Sequence, residues 1–169
     1  GCNKAAEFVQ FCDAFSIPVL SITNVNGFKN CMCSEKKLAK ALARMTYAFS
    51  NATCAKVNMI TGEAYGSAYV FMNSKSIGAD LVYAWNDAKI GTMDPTMAAK
   101  IMYPDADAAE IKEKASEYGK LQSSATSAAA RGYVDRIIEP ADSRKYLVAA
   151  FEMLYTKYVG EPEKKHGTK

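Results

Sequence analysis

The sequence predicts an α/β layered domain, and three observations carry that prediction. Some segments repeat apolar residues at helical spacing, others are short β-branched runs, and the two kinds alternate along the chain. Capping residues, prolines and glycines punctuate the alternation. No shift in composition marks a second domain, so residues 1–169 read as a single one.

From Asn3 to Ser16, apolar Ala5, Phe8, Val9, Phe11, Cys12 and Phe15 recur with a helical period and predict one dry face. Pro18 stops that helix, and Val19 to Thr23 reads as a short buried strand. A loop follows from Asn24 to Phe28. Ser34 caps the next helix, whose Leu38, Ala41, Leu42, Met45 and Phe49 recur at helical intervals. Lys56 to Thr61 is a strand that runs through a turn of small residues into a helix from Ala68 to Asn73. Leu81 to Trp85 and Lys89 to Met93 are strands separated by a turn at Asn86-Asp87. Asp94-Pro95 places an N-cap before a proline at the first helical position, starting a helix to about Met102. Ala106 to Tyr118 and Gln122 to Arg131 are alanine-rich helices, and Gly132 ends the second. Tyr133 to Ile138 is the last strand. Asp142 caps a closing helix to about Tyr158, with Tyr146, Ala149, Ala150, Met153 and Leu154 as its buried stripe. Met93, Met97 and Met102 read as core fillers, and Trp85 as packed beneath a helix.

Composition narrows the function. With 49% hydrophobic residues in 169, there is enough apolar surface for a core. A net charge of +3 without a basic, aromatic-studded stripe argues against nucleic acid. No apolar run reaches the ~18–20 residues of a membrane span. Lys4 and Glu7 interrupt any signal-peptide pattern. Five cysteines, an odd count without framework spacing, suit a reducing compartment, so a cytoplasmic protein is expected. Cys31-Met32-Cys33 reads as two thiols on a loop. A zinc site needs about four ligands, and the only histidine, His166, falls in residues 160–169, read as a flexible basic tail. No metal is expected; Asp105 and Asp107 read as helix caps.

The most informative stretch runs from Ile60 to Val70, strand to helix through small residues. Unpaired backbone N–H groups at such a helix start can hold developing negative charge. Gly66-Ser67-Ala68 also has the look of an exposed serine nucleophile. A serine hydrolase would need a base, and the candidates are His166, Lys75 and Lys56.

Several segments in one collinear order resemble a known family. Lys4 to Phe15 followed by Ile17-Pro18-Val19, then Asn26-Gly27-Phe28, open the match. Ala64-Tyr65-Gly66-Ser67-Ala68-Tyr69, Ser74-Lys75, Gly78-Ala79-Asp80 and Tyr83-Ala84-Trp85 continue it, and Gly132-Tyr133-Val134-Asp135 with Ile138-Glu139-Pro140 closes it. Together these resemble the C-terminal half of the carboxyltransferase of biotin-dependent acyl-CoA carboxylases and decarboxylases. Ser67 stands where that family usually has glycine, Asn26 where it has proline, and the loop from Lys29 to Ser34 lacks its usual pattern.

The resemblance implies a crotonase-like (Clp protease/crotonase) superhelix of repeated β-β-α units. It implies transfer of a carboxyl group between biotin on a carrier protein and an acyl-CoA, with this half on the biotin side. The partners implied are the N-terminal CoA-binding half, the biotin carboxyl carrier protein and further copies in a homo-oligomer. The complex could include a membrane decarboxylase pump, with no membrane insertion by this domain. The backbone N–H groups of Ser67 and Ala68 are implied as an oxyanion hole for the biotin oxygen. Tyr65, Gly66, Gly27 and Phe28 are implied on the biotin-binding surface, and Val70 beside the acyl pocket. A chain cut from a longer protein, inactive alone, is the corollary. A non-catalytic assembly module with the same fold is the alternative, because the departures fall near the biotin surface.

Overall fold

A computed structural model describes residues 1–160, the side chain of Cys33 excepted. The expected tail beyond residue 160, with His166, lies outside the described residues. Helix α1 (Cys2–Ala14) buries Ala6, Val9 and Cys12 against α2 (Met32–Asn51), whose Met45, Ala48 and Phe49 face it. Between them β1 (Val19–Val25) enters the sheet. Next comes β2 (Lys56–Tyr65), then α3 (Gly66–Val70), β3 (Leu81–Trp85) and β4 (Lys89–Gly91). Helices α4 (Pro95–Met102), α5 (Ala108–Gln122) and α6 (Ala125–Ala130) precede β5 (Arg136–Ile138), and α7 (Ser143–Met153) closes the described chain.

The strand order is β1-β2-β3-β5, with β4 also paired to β2, and these pairings are all parallel. Strand β2 is the axis of the fold. Its residues 57–60 pair with β3 and its residues 63–65 with β4, so one long strand serves two successive partners. Parallel strands are covered on both faces, and β2 is buried from Lys56 through Ile60. One cluster packs Ile60, Val82, Ala84, Ile90 and Ala128. Another packs Val57, Tyr83 and Ile138 under Ala150 of α7, with Trp85 and Phe151 beside them.

Side chains tie the elements where the sheet alone does not. The Asp13 carboxylate accepts from the N–H groups of Thr53 and Cys54 at 2.6 and 3.0 Å, anchoring α1 to the start of β2. Lys56 is buried and donates its ammonium to the Phe49 carbonyl at 2.6 Å, capping the last turn of α2. Asp80 Oδ2 accepts from the Lys56 N–H at 2.7 Å and from Lys157 Nζ at 2.9 Å, clamping the segment after α7 to the sheet.

Several expectations need correction. Strand β2 does not end at Thr61 but runs to Tyr65: residues 63–65 pair with β4, and Ala64 also pairs with β1. Gly62 is small because Asn24 crosses there. A Cβ on Gly62 would lie 2.7 Å from Asn24 Oδ1, which accepts from the Glu63 N–H. Strand β1 is half exposed rather than buried, with Leu20 and Ile22 outward on the edge of the sheet. Helix α2 is capped three residues before Ser34: Cys31 is its N-cap, with Sγ 3.1 Å from Ser34 Oγ, and the helix starts at Met32, so Cys31-Met32-Cys33 is not a loop. Helix α5 runs on to Gln122 and α6 begins only after Ser124, whose hydroxyl accepts from Ser127 N–H. Strand β4 ends at Gly91, and β5 spans only Arg136 to Ile138. Asp142 ends a 3-10 turn and makes no side-chain cap, and α7 stops at Met153. Its inward face is Tyr146, Leu147, Ala150, Phe151 and Leu154, whereas Ala149 and Met153 are exposed. The three methionines Met93, Met97 and Met102 are exposed, not core.

Candidate functional site

The site is built where β2 hands over to α3. Tyr65 is extended and N-caps α3, and Gly66 turns the chain with φ of +62°. Two constraints select glycine there: the left-handed backbone, and an added Cβ that would sit 3.1 Å from the Thr92 carbonyl oxygen. Ser67 and Ala68 follow in the first turn, where backbone N–H groups have no acceptor within the helix, and no side chain caps this one. Ser67 is not among the positive-φ residues, so the serine needs no strained backbone to present its N–H.

Helix α3 separates two hollows. On one side, Gly66, Ser67 and Val70 line a cavity of about 500 Å³ together with Thr92, Arg131 and Tyr133. On the other, Ala68 lines a more apolar cavity of about 400 Å³ with Phe28, Leu20, Val25 and Phe8. Thus Ser67 and Val70 share one cavity, while Ala68 and Phe28 share the other. Tyr65 and Gly27 line neither. Tyr65 is buried beneath the turn, and Gly27 lies in the exposed loop after β1 with φ of +153°.

The titratable groups under the turn are phenols. Burial, then the carboxylates of Glu63 and Asp94, push Tyr65 up to about 12. Burial, then Tyr133, push Tyr69 up to about 12. Both hydroxyls are buried without a hydrogen-bond partner among the described residues. Each stays neutral near pH 7 and holds a proton it can donate.

Two of the three side chains proposed as bases for Ser67 are engaged elsewhere, and His166 lies outside the described residues. Lys56 is bonded to the Phe49 carbonyl, and burial followed by the Lys157 charge lowers its pKa. Lys75 donates to both carboxylate oxygens of Asp135 at 2.9 Å and to the Asp80 carbonyl at 3.0 Å. What the turn offers is backbone donors beside apolar walls. No group of three or more His, Cys, Asp or Glu residues able to hold a metal ion occurs among the described residues.

Gln122, Arg131 and Tyr133 are lining residues that sequence reasoning missed. They come from the end of α5 and from the segment between α6 and β5, and only the fold brings them to α3. Gly132 carried the one available signal. It ends α6 as expected, with φ of +80°, and so fixes where Arg131 and Tyr133 leave the helix.

Comparison with known proteins agrees with this architecture. The chain is 45% identical over 172 residues to the methylmalonyl-CoA decarboxylase subunit alpha of Propionigenium modestum, covering 98% of this chain and 33% of that protein. It is 41% identical over 175 residues to the methylmalonyl-CoA carboxyltransferase 12S subunit of Propionibacterium freudenreichii subsp. shermanii, with 98% and 33% covered. The crystal structure of transcarboxylase 12S, a hexamer assembly with methylmalonyl-coenzyme A and methylmalonic acid bound, superposes with a TM-score of 0.93. It is 40% identical, covering 99% of this chain and 33% of that one. The chain therefore spans about a third of the length of these relatives, and its α/β fold is crotonase-like. The model of the carboxyl transferase domain matches residues 1–168, and the chain belongs to the carboxyl transferase domain family.

Proposed function

We propose that this chain is the biotin-side half of a carboxyltransferase, moving a carboxyl group between biotin on a carrier protein and an acyl-CoA. The observation that carries the reading is the turn Tyr65–Ala68. A left-handed glycine starts a helix whose next two residues, Ser67 and Ala68, border two adjoining cavities and carry backbone N–H groups with no acceptor within the helix. Neutral, fixed donors of this kind suit an oxygen on which negative charge builds, and each is worth about 2.7–4 kcal/mol in other enzymes.

The residues fit biotin. Its ureido oxygen asks for hydrogen-bond donors, which the start of α3 offers where the two cavities adjoin, with Ala68 on the side of Phe28, Val25 and Leu20 and Ser67 on the other; those three side chains offer the apolar walls that its fused rings and alkyl arm ask for. The glycine-to-serine departure keeps the donor, because Ser67 takes no positive φ. When bound, biotin supplies the carboxyl carrier and a ureido nitrogen for the proton exchanged at the acyl α-carbon. Ser67 and Ala68 then hold and orient the oxygen, Gly66 keeps the turn open, and Val70 borders the acyl chain. Tyr65 supports the turn from beneath, and Gly27 shapes the loop that carries Phe28.

The relatives named for methylmalonyl-CoA support a short acyl-CoA as substrate. Coverage of only a third of those proteins supports a separate CoA-binding half, and the hexameric relative supports an active site completed between subunits in an oligomer. The cytoplasm is the proposed compartment, and a carrier protein bearing biotin the proposed partner.

The test is acyl-CoA-dependent carboxyl transfer by the full-length protein with its biotin carrier, for wild type and Ser67→Ala. Turnover retained within a few-fold in the variant is expected. Absence of transfer from a folded wild-type complex overturns the reading in favour of an assembly module.

A further inference from the structure

Arg131 alone among the residues lining the 500 Å³ cavity carries a charge. It stands at the C-terminus of α6, its N–H bonded back to the Ser127 carbonyl, so its backbone is fixed. Its guanidinium donates to the Gln122 side-chain oxygen, which aims the fork. No carboxylate lies within ion-pair distance of it among the described residues, whereas Arg44 has Glu7 and Lys75 has Asp135. An arginine is a planar fork of five donors that matches a carboxylate in two parallel hydrogen bonds. Gln122 engages part of that fork and leaves donors to spare. Tyr69 lines the same cavity, is only 7% exposed, and has a hydroxyl with no partner. Val70 and Phe71 supply apolar wall in the same cavity. A cavity with one unpaired cation, an unengaged hydroxyl and apolar sides fits a small, mostly apolar ligand that ends in a single anion.

We propose that Arg131, oriented by Gln122, binds the free carboxylate of a carboxylated acyl thioester and so makes this cavity discriminate the carboxylated acyl-CoA from its uncarboxylated counterpart. The inference rests on the functional reading above and adds a specificity-determining residue to it. The uncarboxylated acyl group has nothing to offer the guanidinium, so the preference for the acid lives in this contact. Losing a charge-assisted hydrogen bond of this kind corresponds to about 10- to 100-fold in affinity.

The test uses the full-length protein and two pairs of ligands, methylmalonyl-CoA with propionyl-CoA and malonyl-CoA with acetyl-CoA. Dissociation constants are measured for wild type, Arg131→Gln and Arg131→Lys, and kcat and KM are separated for each carboxylated substrate. Wild type is expected to prefer the carboxylated member of at least one pair. Arg131→Gln is expected to lose about 10- to 100-fold of that preference, with a rise in KM and unchanged affinity for the uncarboxylated member. Arg131→Lys is expected to recover part of it, because charge returns without the fork. An unchanged preference in a folded Arg131→Gln protein overturns the inference and leaves the carboxyltransferase reading intact. So does a wild type that binds both members of each pair equally. A wild type that binds neither pair overturns the functional reading itself and the inference with it.

Discussion

Replacing Gly66 by alanine asks most directly whether the backbone of the turn, rather than a side chain, stabilises charge. The native φ of +62° costs an L-residue about 1–2 kcal/mol. Alanine recovers about 0.4–1 kcal/mol of that by restricting the unfolded chain. The new Cβ, 3.1 Å from the Thr92 carbonyl oxygen, forces Thr92 or the turn to move by a few tenths of an ångström. The net loss of stability is therefore about 1 kcal/mol, a modest part of a typical domain's 5–15 kcal/mol. The effect on turnover is expected to be much larger. The Ser67 and Ala68 N–H groups lie one and two residues on and move with the turn, and spoiling a single oxyanion donor costs about 10²- to 10³-fold in kcat. Steady-state carboxyl transfer by the full-length protein with its carrier, read beside urea unfolding, separates the two effects. Gly66→Ala is expected to lose about 10²-fold in kcat, and Ser67→Ala to stay within a few-fold of wild type. A Gly66→Ala enzyme with wild-type kcat refutes the argument from donor geometry. A loss of more than about 10³-fold in Ser67→Ala refutes it differently, by showing that the hydroxyl carries the chemistry.

Three further outcomes follow from the packing. Asp80→Asn weakens the acceptor shared by the Lys56 N–H and Lys157 Nζ, both held within 2.9 Å. It should cost roughly 2–3 kcal/mol in urea unfolding, and a cost below about 0.5 kcal/mol would remove the clamp from the account. Lys56 sits below its ordinary 10.5 because of burial and then the Lys157 charge. The folded protein thus holds this proton less tightly than the unfolded chain, and the contribution of Lys56 to stability is present above 10.5 and lost as pH falls through the lowered folded value. The stability difference between wild type and Lys56→Met should therefore change across that alkaline window; parallel pH profiles for the two proteins would contradict the burial effect. Trp85, the single tryptophan, donates its indole N–H to Ser143 Oγ at 2.9 Å. Ser143→Ala should cost about 1 kcal/mol and shift the indole emission, and an unmoved spectrum would argue against that bond in solution.

Much of the fold was legible because local chemistry and tertiary packing agreed. Asp94 before Pro95 caps α4 by accepting from the N–H groups of Thr96 and Met97, as the dipeptide implied. Asp107 does the same for α5, and Gly132 ends α6 in a left-handed turn. The strand-to-helix turn was legible too, but its length was not. Gly62 and Glu63 look like turn residues, yet they extend β2, because the Asn24 side chain fills the space that a Cβ on Gly62 would need. That reason lies 38 positions upstream, beyond any local signal. The stripe of α7 was misjudged because Ala149 and Met153 satisfy helical spacing as well as Leu147 and Phe151 do, and only the position of Tyr83 and Ile138 decides between faces. Among the residues lining the 500 Å³ cavity, Gly66, Ser67 and Val70 belong to the strand-to-helix stretch that the sequence singled out. Arg131 is not singled out, because nothing near it in sequence says that α6 ends over α3.

The placement of α3 as a common wall has a thermodynamic consequence. Five residues present Ser67 and Val70 to one hollow, and Ala68 to the other. A displacement of this helix that widens one hollow must alter the second, and linkage makes such an influence equal in both directions. Occupants of the two hollows would be thermodynamically coupled to the extent that each moves α3. Comparing the affinity of one ligand with and without the other would give that coupling energy directly, as a property of a single turn of backbone.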